Sequence, residues 1–155
     1  MLCYIFFILL AMNWIILLMV LAAGAATAVQ AGVNGALGKK VGIIEAAFVS
    51  FLVGTIFLSV IFILTRRGNI QAALEVPKWQ LTGGLLGAFY IMIMVVAVPR
   101  IGMAAALITL IVGQLTTSTL IDHFGLIGDK NIPLDFKRMA GLALMGVAIF
   151  LFYKK

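Results

Sequence analysis

The chain has 155 residues, of which 65% are hydrophobic and only 10% are charged, and its mean hydropathy is +1.25. A soluble domain carries about 25% charged residues, so this composition excludes a soluble globular protein and indicates a polytopic membrane protein. The net charge of +6 does not indicate nucleic-acid binding, because the Lys and Arg residues lie in short clusters between apolar runs. The single cysteine, Cys3, excludes an intrachain disulfide.

The first 38 residues contain no charged side chain. As one helix they would reach almost twice the roughly 30 Å thickness of the hydrocarbon layer. A signal peptide does not explain them, since a basic n-region is missing and the apolar run is too long. We therefore expect translation to begin at Met12, so that residues 1–11 are a non-native or mis-annotated apolar extension and residues 12–155 form a single transmembrane domain. A flexible apolar arm is the alternative for residues 1–11.

Apolar runs bounded by charged or turn residues predict an all-α fold, a polytopic integral membrane protein with five transmembrane helices. The runs cover about residues 14–37, 42–65, 79–99, 101–121 and 139–153. The fifth run has few residues for a crossing, so the basic residues that flank it, Arg138, Lys154 and Lys155, would have to extend to the interface.

The fourth predicted helix carries a polar face. Gln114, Ser118 and Asp122 are spaced four residues apart, and Thr117 lies three residues after Gln114. Lipid cannot satisfy the hydrogen bonds of these groups, so we expect protein to cover them. Small residues also recur at every fourth position, which allows another helix to approach closely: they are Ala105, Thr109, Gly113 and Thr117.

The first predicted helix carries a second polar stripe, formed by Thr27, Gln30 and Asn34. Two stripes on different helices can converge on one cavity near the middle of the membrane. The predicted substrate pathway therefore consists of Gln30, Asn34, Gln114, Thr117 and Ser118. The same side chains could instead hold the helices together, since hydrogen bonds between membrane helices average about 0.6 kcal/mol.

Three ionisable residues are candidates for a proton or ion site. Glu45 lies near the start of the second helix, where the helix dipole alone would also favour an acid. Asp122 and His123 could relay a proton, or they could cap the fourth helix and order the turn that follows. No Cys/His cluster, Gly-rich loop or paired nucleophile and base is present, so the sequence predicts no catalytic residue, no metal, no cofactor and no enzyme.

Basic residues are almost equally divided between the two sides of the five-helix arrangement. One side holds six, which are Arg66, Arg67, Lys78, Lys130, Lys137 and Arg138, and the other holds five, which are Lys39, Lys40, Arg100, Lys154 and Lys155. Orientation in a membrane follows the Lys/Arg bias of the short loops. The balance predicts dual topology, with oppositely oriented copies pairing into a ten-helix antiparallel dimer that has the inverted-repeat architecture of many transporters. The alternative is that one extra basic residue suffices for a single orientation.

Several segments resemble the YdcZ-type family, small five-helix members of the drug/metabolite transporter superfamily. They include Gln30-Ala-Gly-Val-Asn34, Pro99-Arg-Ile-Gly102, Gly113-Gln114 with Ser118, and Ile121-Asp-His-Phe-Gly125 followed by Gly128. The resemblance covers nearly everything from Met12 to the C-terminus, and residues 1–11 lie outside it. It implies a multi-pass protein of the bacterial inner membrane that occurs as single, paired or fused copies of one five-helix unit.

Together these features predict a secondary transporter of a small metabolite or amphiphilic compound. We expect it to act across the inner membrane by alternating access, as an antiparallel homodimer or with a paired paralogue. The bilayer and an unknown small-molecule substrate are its expected partners, and nucleic acid is not. The alternative is a small membrane-embedded partner or regulatory subunit without transport activity, whose polar residues serve only helix packing.

Overall fold

The computed structural model describes residues 2–65, 68–127 and 131–153, with side chains from residue 13 onward. This part of the chain forms five α-helices, which confirms the all-α prediction: α1 Leu2–Val41, α2 Ile43–Thr65, α3 Gly83–Ile101, α4 Met103–Phe124 and α5 Phe136–Phe152. Two short 3-10 helices, Ile70–Leu74 and Lys78–Thr82, lie between α2 and α3. The basic residues expected to flank α2 and α5, Arg66, Arg67, Lys154 and Lys155, lie outside the described residues, as does Lys130.

Four of the helices are long and apolar enough to cross a membrane. They are α1 over Asn13–Val41, α2, α3 together with the turn that precedes it, and α4. The remaining helix, α5, has 17 residues and is about 26 Å long at 1.5 Å per residue. A fifth crossing by this shorter helix stays a prediction.

Glycines in the left-handed region set the tight reversals between helices. Gly42 has φ of 107° and links α1 to α2, and Gly102 has φ of 85° and links α3 to α4. α1 and α3 therefore run a few residues past the ends that the sequence predicted, at about residues 37 and 99. Pro99 lies inside the last turn of α3, where it removes a single backbone hydrogen bond, the one that its own N–H would donate.

The predicted start of the fifth helix is about Met139. α5 begins three residues earlier, because Asp135 caps it and accepts a hydrogen bond of 2.8 Å from the backbone N–H of Arg138. α1 passes the expected boundary at Met12 without interruption, and the assignment of residues 1–11 to a non-native extension stays a prediction.

The first four helices form a bundle, with α1 in contact with α2, α3 and α4, and α3 in contact with α2 and α4. α5 packs chiefly against α4. The buried side chains are mostly small. They form one cluster between α2 and α3, with Ala46, Ala47, Ile91 and Val95, and another between α1, α3 and α4, with Ala31, Met94 and Ala106. Small residues let membrane helices approach closely where lipid supplies no hydrophobic driving force.

Candidate transport site

A buried polar pair joins α1 to α2. Asn34 is only 5% exposed, and its Nδ2 donates a hydrogen bond of 3.2 Å to Oγ of Ser50. Ser50 lies on the small face of α2, four residues after Ala46 and four before Gly54, and this face allows α1 to come close. An amide buried in a membrane without a partner costs several kcal/mol, so Ser50 stabilises Asn34 at this position.

Two cavities open beside this pair, and Gln30 and Ser50 line both of them. The smaller cavity has a volume of about 190 Å³ and also contacts Thr55 and Ile91. The larger one has a volume of about 410 Å³ and also contacts Asn34. We call Gln30, Asn34, Ser50 and Thr55 the α1–α2 site. It offers uncharged amide and hydroxyl groups in apolar surroundings, which suits a neutral polar group or the polar end of an amphiphile.

The structure brings Gln30 and Asn34 together, as the spacing on α1 predicts. Ser50 and Thr55 did not appear among the predicted site residues. Ser50 could have been found from its place on the small face of α2, because a hydroxyl on a helix-packing face is a natural partner for an amide on the neighbouring helix. Thr55 gave no such signal.

The polar residues of α4 lie elsewhere. Gln114, Thr117 and Ser118 are exposed, and Gln114 and Thr117 line none of the cavities at the α1–α2 site. The convergence of two polar stripes on one cavity thus does not occur within the described part of a single chain, and it stays a prediction for an assembly. Only the first part of the predicted packing face of α4 is covered, since Ala105 is buried and Gly113 is exposed.

Ser118 lines a different pocket, of about 380 Å³, between α4 and α5. Asp122 and Arg138 lie at its charged end, where Oδ2 and Nη1 are 3.5 Å apart and the side chains are 43% and 35% exposed. We call this cavity the α4–α5 pocket. The sequence did not single out Arg138 as a site residue, because its position between a loop and a short apolar run indicated only an interfacial anchor.

The connection after α4 folds back onto that helix. Gly125, with φ of 59°, ends α4 in the left-handed region. The carbonyl of Asp122 accepts a hydrogen bond of 2.9 Å from the N–H of Ile132, and Nδ1 of His123 accepts one of 3.1 Å from the N–H of Leu134. Asp122 and His123 therefore order the return of the chain to α5. Gly128, which the family resemblance also included, lies outside the described residues.

Glu45 lies in the first turn of α2 and is exposed. Its carboxylate covers Gly42, so closely that a Cβ atom at that glycine would collide with Oε2. Glu45 lines neither the cavities of the α1–α2 site nor the α4–α5 pocket. The structure places this acid at a helix N-terminus, where the helix dipole favours negative charge.

A family model matches residues 15–151, which is most of the chain and includes α2, α3, α4 and the part of α1 from residue 15 onward. The chain belongs to the YdcZ family. The description of that family is "Putative inner membrane exporter, YdcZ", within the DMT group. This member of the YdcZ family is accordingly a multi-pass protein of the inner membrane, as its sequence predicted. No curated protein and no solved structure gives a significant match to it.

Proposed function

We propose that this YdcZ-family chain is a secondary transporter of a small metabolite or amphiphilic compound, which works as an antiparallel dimer by alternating access. The observation that carries the proposal is the exposed polar face in the second half of α4. The family description as an inner membrane exporter supports transport in general. The substrate and the dimer are inferred from the residues.

One chain leaves Gln114, Thr117 and Ser118 uncovered on a helix that is apolar and long enough to cross the membrane. None of the three makes a side-chain hydrogen bond within the described part of the chain. Each polar group left unsatisfied in hydrocarbon costs several kcal/mol. A second protein surface can form hydrogen bonds with these side chains. A second copy of the chain offers the same polar face of α4 for this purpose.

The second half of α4 is also shaped for close contact. A Cβ atom at Gly113 would meet no other atom within 4 Å, so the backbone is open to a neighbouring helix. The nearly equal division of basic residues between the two sides of the predicted five-helix arrangement favours a partner in the opposite orientation. Two inverted copies give the pseudo-twofold relation on which many transporters rely for alternating access. A paired paralogue of opposite orientation would serve equally well.

In this dimer the α1–α2 site of each copy supplies uncharged polar groups for the substrate, and the paired α4 helices supply Gln114, Thr117 and Ser118. Rocking of one copy against the other would expose the site to each side in turn. Glu45 and the pair Asp122 and His123 remain the candidate proton or ion sites. Among them, Asp122 lies next to a cavity, in the α4–α5 pocket.

Topology decides whether two inverted copies exist. On a Cys3→Ser background, a single cysteine in place of Gln71, between α2 and α3, and another in place of Tyr153, after α5, are labelled with a membrane-impermeant maleimide from either side. We expect each cysteine to be labelled partly from each side. Labelling of each position from one side only would exclude the antiparallel homodimer. Transport would then need an oppositely oriented paralogue, or the chain would be a regulatory subunit.

A further inference from the structure

We propose that the α4–α5 pocket binds the anionic head of an amphiphile, with the guanidinium of Arg138 as the partner of the anion. Calling this anion a substrate rests on the proposed transport function, but its binding can be measured without any flux. The pocket lies at the end of the bundle where α4 ends and α5 begins. It is separate from the α1–α2 site.

The guanidinium of Arg138 has unused capacity. It carries five N–H donors arranged in a planar fork, and its ion pair with Asp122 is a single contact of 3.5 Å between half-exposed side chains. Within the described part of the chain, the two side chains form an ion pair but no hydrogen bond with each other. A carboxylate or phosphate that enters the pocket can take two parallel hydrogen bonds from this fork, which is a stronger arrangement.

A hydroxyl group lies beside the guanidinium. Ser118 lines the pocket and makes no side-chain hydrogen bond within the described residues. The adjacent Thr119 differs, because its Oγ1 already donates a hydrogen bond of 2.7 Å to the carbonyl of Leu115. Ser118 is therefore free to donate a hydrogen bond to the same anion, and Arg138 and Ser118 together form the polar end of the pocket.

The rest of the pocket is apolar. Leu115 of α4 faces Leu142 and Met145 of α5. Gly141 keeps space open, since a Cβ atom there would meet nothing within 4 Å. The volume of about 380 Å³ lies in the range of small-molecule sites, about 300 to 1,000 Å³. One charged end and one apolar wall match an amphiphile with a short tail.

Asp122 acts as an internal competitor for Arg138. The Asp122 carboxylate repels a ligand anion and draws on the same guanidinium, so removal of the Asp122 charge should tighten anion binding. A pocket built for a cation would respond in the opposite way, because Asp122 would then be the group that binds the ligand. Asp122→Asn should therefore tighten the binding of an anion in this pocket, whereas it would weaken the binding of a cation.

The probe is decanoate, titrated by calorimetry against the full chain in phosphatidylcholine nanodiscs. Arg138→Gln should weaken binding by about tenfold or more, the loss of one charge-assisted interaction. Asp122→Asn should tighten it several-fold, a gain that a misfolded variant would not show. Lys137→Gln, which removes the neighbouring charge outside the pocket, is the control and should leave binding unchanged. Equal binding by the Arg138→Gln variant and wild type, or weaker binding by Asp122→Asn, would overturn the proposal.

A second pair of variants tests whether decanoate occupies the space of the α4–α5 pocket. Gly141→Leu should fill the pocket and abolish decanoate binding. Gly146→Leu, at an exposed glycine of the same helix that lies outside the pocket, should leave it intact. If both variants bind decanoate like wild type, the anion does not occupy the α4–α5 pocket.

Phosphatidylglycerol distinguishes the two sources of such an anion. If its addition weakens decanoate binding to wild type but not to Arg138→Gln, a lipid headgroup occupies the pocket, and if it has no effect, the pocket selects the free amphiphile. Both results support the anion site. If decanoate binds but no flux is seen in proteoliposomes, the anion site in the α4–α5 pocket is supported. The same result counts against the transport of such anions. Decanoate flux that Arg138→Gln leaves unchanged would overturn the assignment of the anion bound in the α4–α5 pocket as a substrate.

Discussion

Asn34 of α1 and Ser50 of α2 are joined by a hydrogen bond of 3.2 Å from the amide Nδ2 to the hydroxyl Oγ. Among the described residues, Asn34 is the polar side chain that the bundle buries. The bond holds α1 against α2 beside the two cavities of the α1–α2 site, both of which Gln30 lines. The shape of the α1–α2 site therefore depends on this pair.

Ser50→Ala should destabilise the protein, because it leaves the amide of Asn34 without its partner. Hydrogen bonds between membrane helices average about 0.6 kcal/mol and reach about 1.7 kcal/mol, so we expect a loss of about 1 kcal/mol in unfolding by sodium dodecyl sulfate. Ser59→Ala is the matched control, since the exposed Ser59 hydroxyl only donates to the carbonyl of Thr55 in its own helix. A double-mutant cycle with Asn34→Ala should show coupling, and additive effects would contradict the bond.

Gly38→Ala should weaken the contact between α1 and α3. A Cβ atom at Gly38 would collide with Cγ1 of Val95, and the branched Val side chain has little freedom to move away. Overpacking of this kind costs about 1 to 3 kcal/mol, measured as a lower melting temperature in detergent. Val95→Ala in the same protein should restore most of the loss.

Gly24→Ala is the control for that prediction. Gly24 also lies in α1, but a Cβ atom there would meet nothing within 4 Å. Alanine favours a helix over glycine by about 1 kcal/mol, so this variant should be at least as stable as wild type. If both glycine variants behave alike, the close packing of Gly38 against Val95 is not what limits stability.

Gly113→Leu should shift the protein from dimer to monomer. Leucine would project from the exposed small face of α4, where the second copy is proposed to pack. Counting photobleaching steps of labelled protein in bilayers should show mostly two steps for wild type and mostly one for the variant. Gly146→Leu places the same side chain at an exposed glycine of α5, and it should keep two steps. An unchanged distribution for Gly113→Leu would place the dimer contact elsewhere.

The sequence predicted the helices well, because each is an apolar run of membrane length that charged or turn residues interrupt. Their ends were less predictable. The reversals depend on the positive φ angles of Gly42 and Gly102, and neither Lys39 nor Pro99 forces a helix to stop. A lysine close to a helix C-terminus is favourable to the helix, and a proline in the last turn removes one hydrogen bond and leaves the rest of the helix intact.

Part of the candidate site could also be predicted, because helical spacing placed Gln30 and Asn34 on one face. The partner of that face could not, since periodicity shows which residues share a face and says nothing of the neighbouring helix. The structure supplies Ser50 on α2 as the partner of Asn34. Arg138 was missed for a related reason, because its contact with Asp122 depends on how the connection folds back between α4 and α5.

Cross-linking along α4 tests the antiparallel dimer most directly. On a Cys3→Ser background, cysteines are placed at the exposed positions Gly113 and Leu120, and at the buried Ala106 as a control. Disulfides form only when the Cα atoms lie about 4.4 to 6.8 Å apart. In antiparallel α4 helices that cross near Thr117, position 113 of one copy lies beside position 120 of the other.

We therefore expect oxidation of co-expressed variants to join Gly113→Cys to Leu120→Cys. Neither variant should form a disulfide with itself, and Ala106→Cys should stay uncrosslinked. Self-crosslinking at both 113 and 120, without the mixed product, would show parallel helices and contradict the inverted dimer on which the proposed transport function rests.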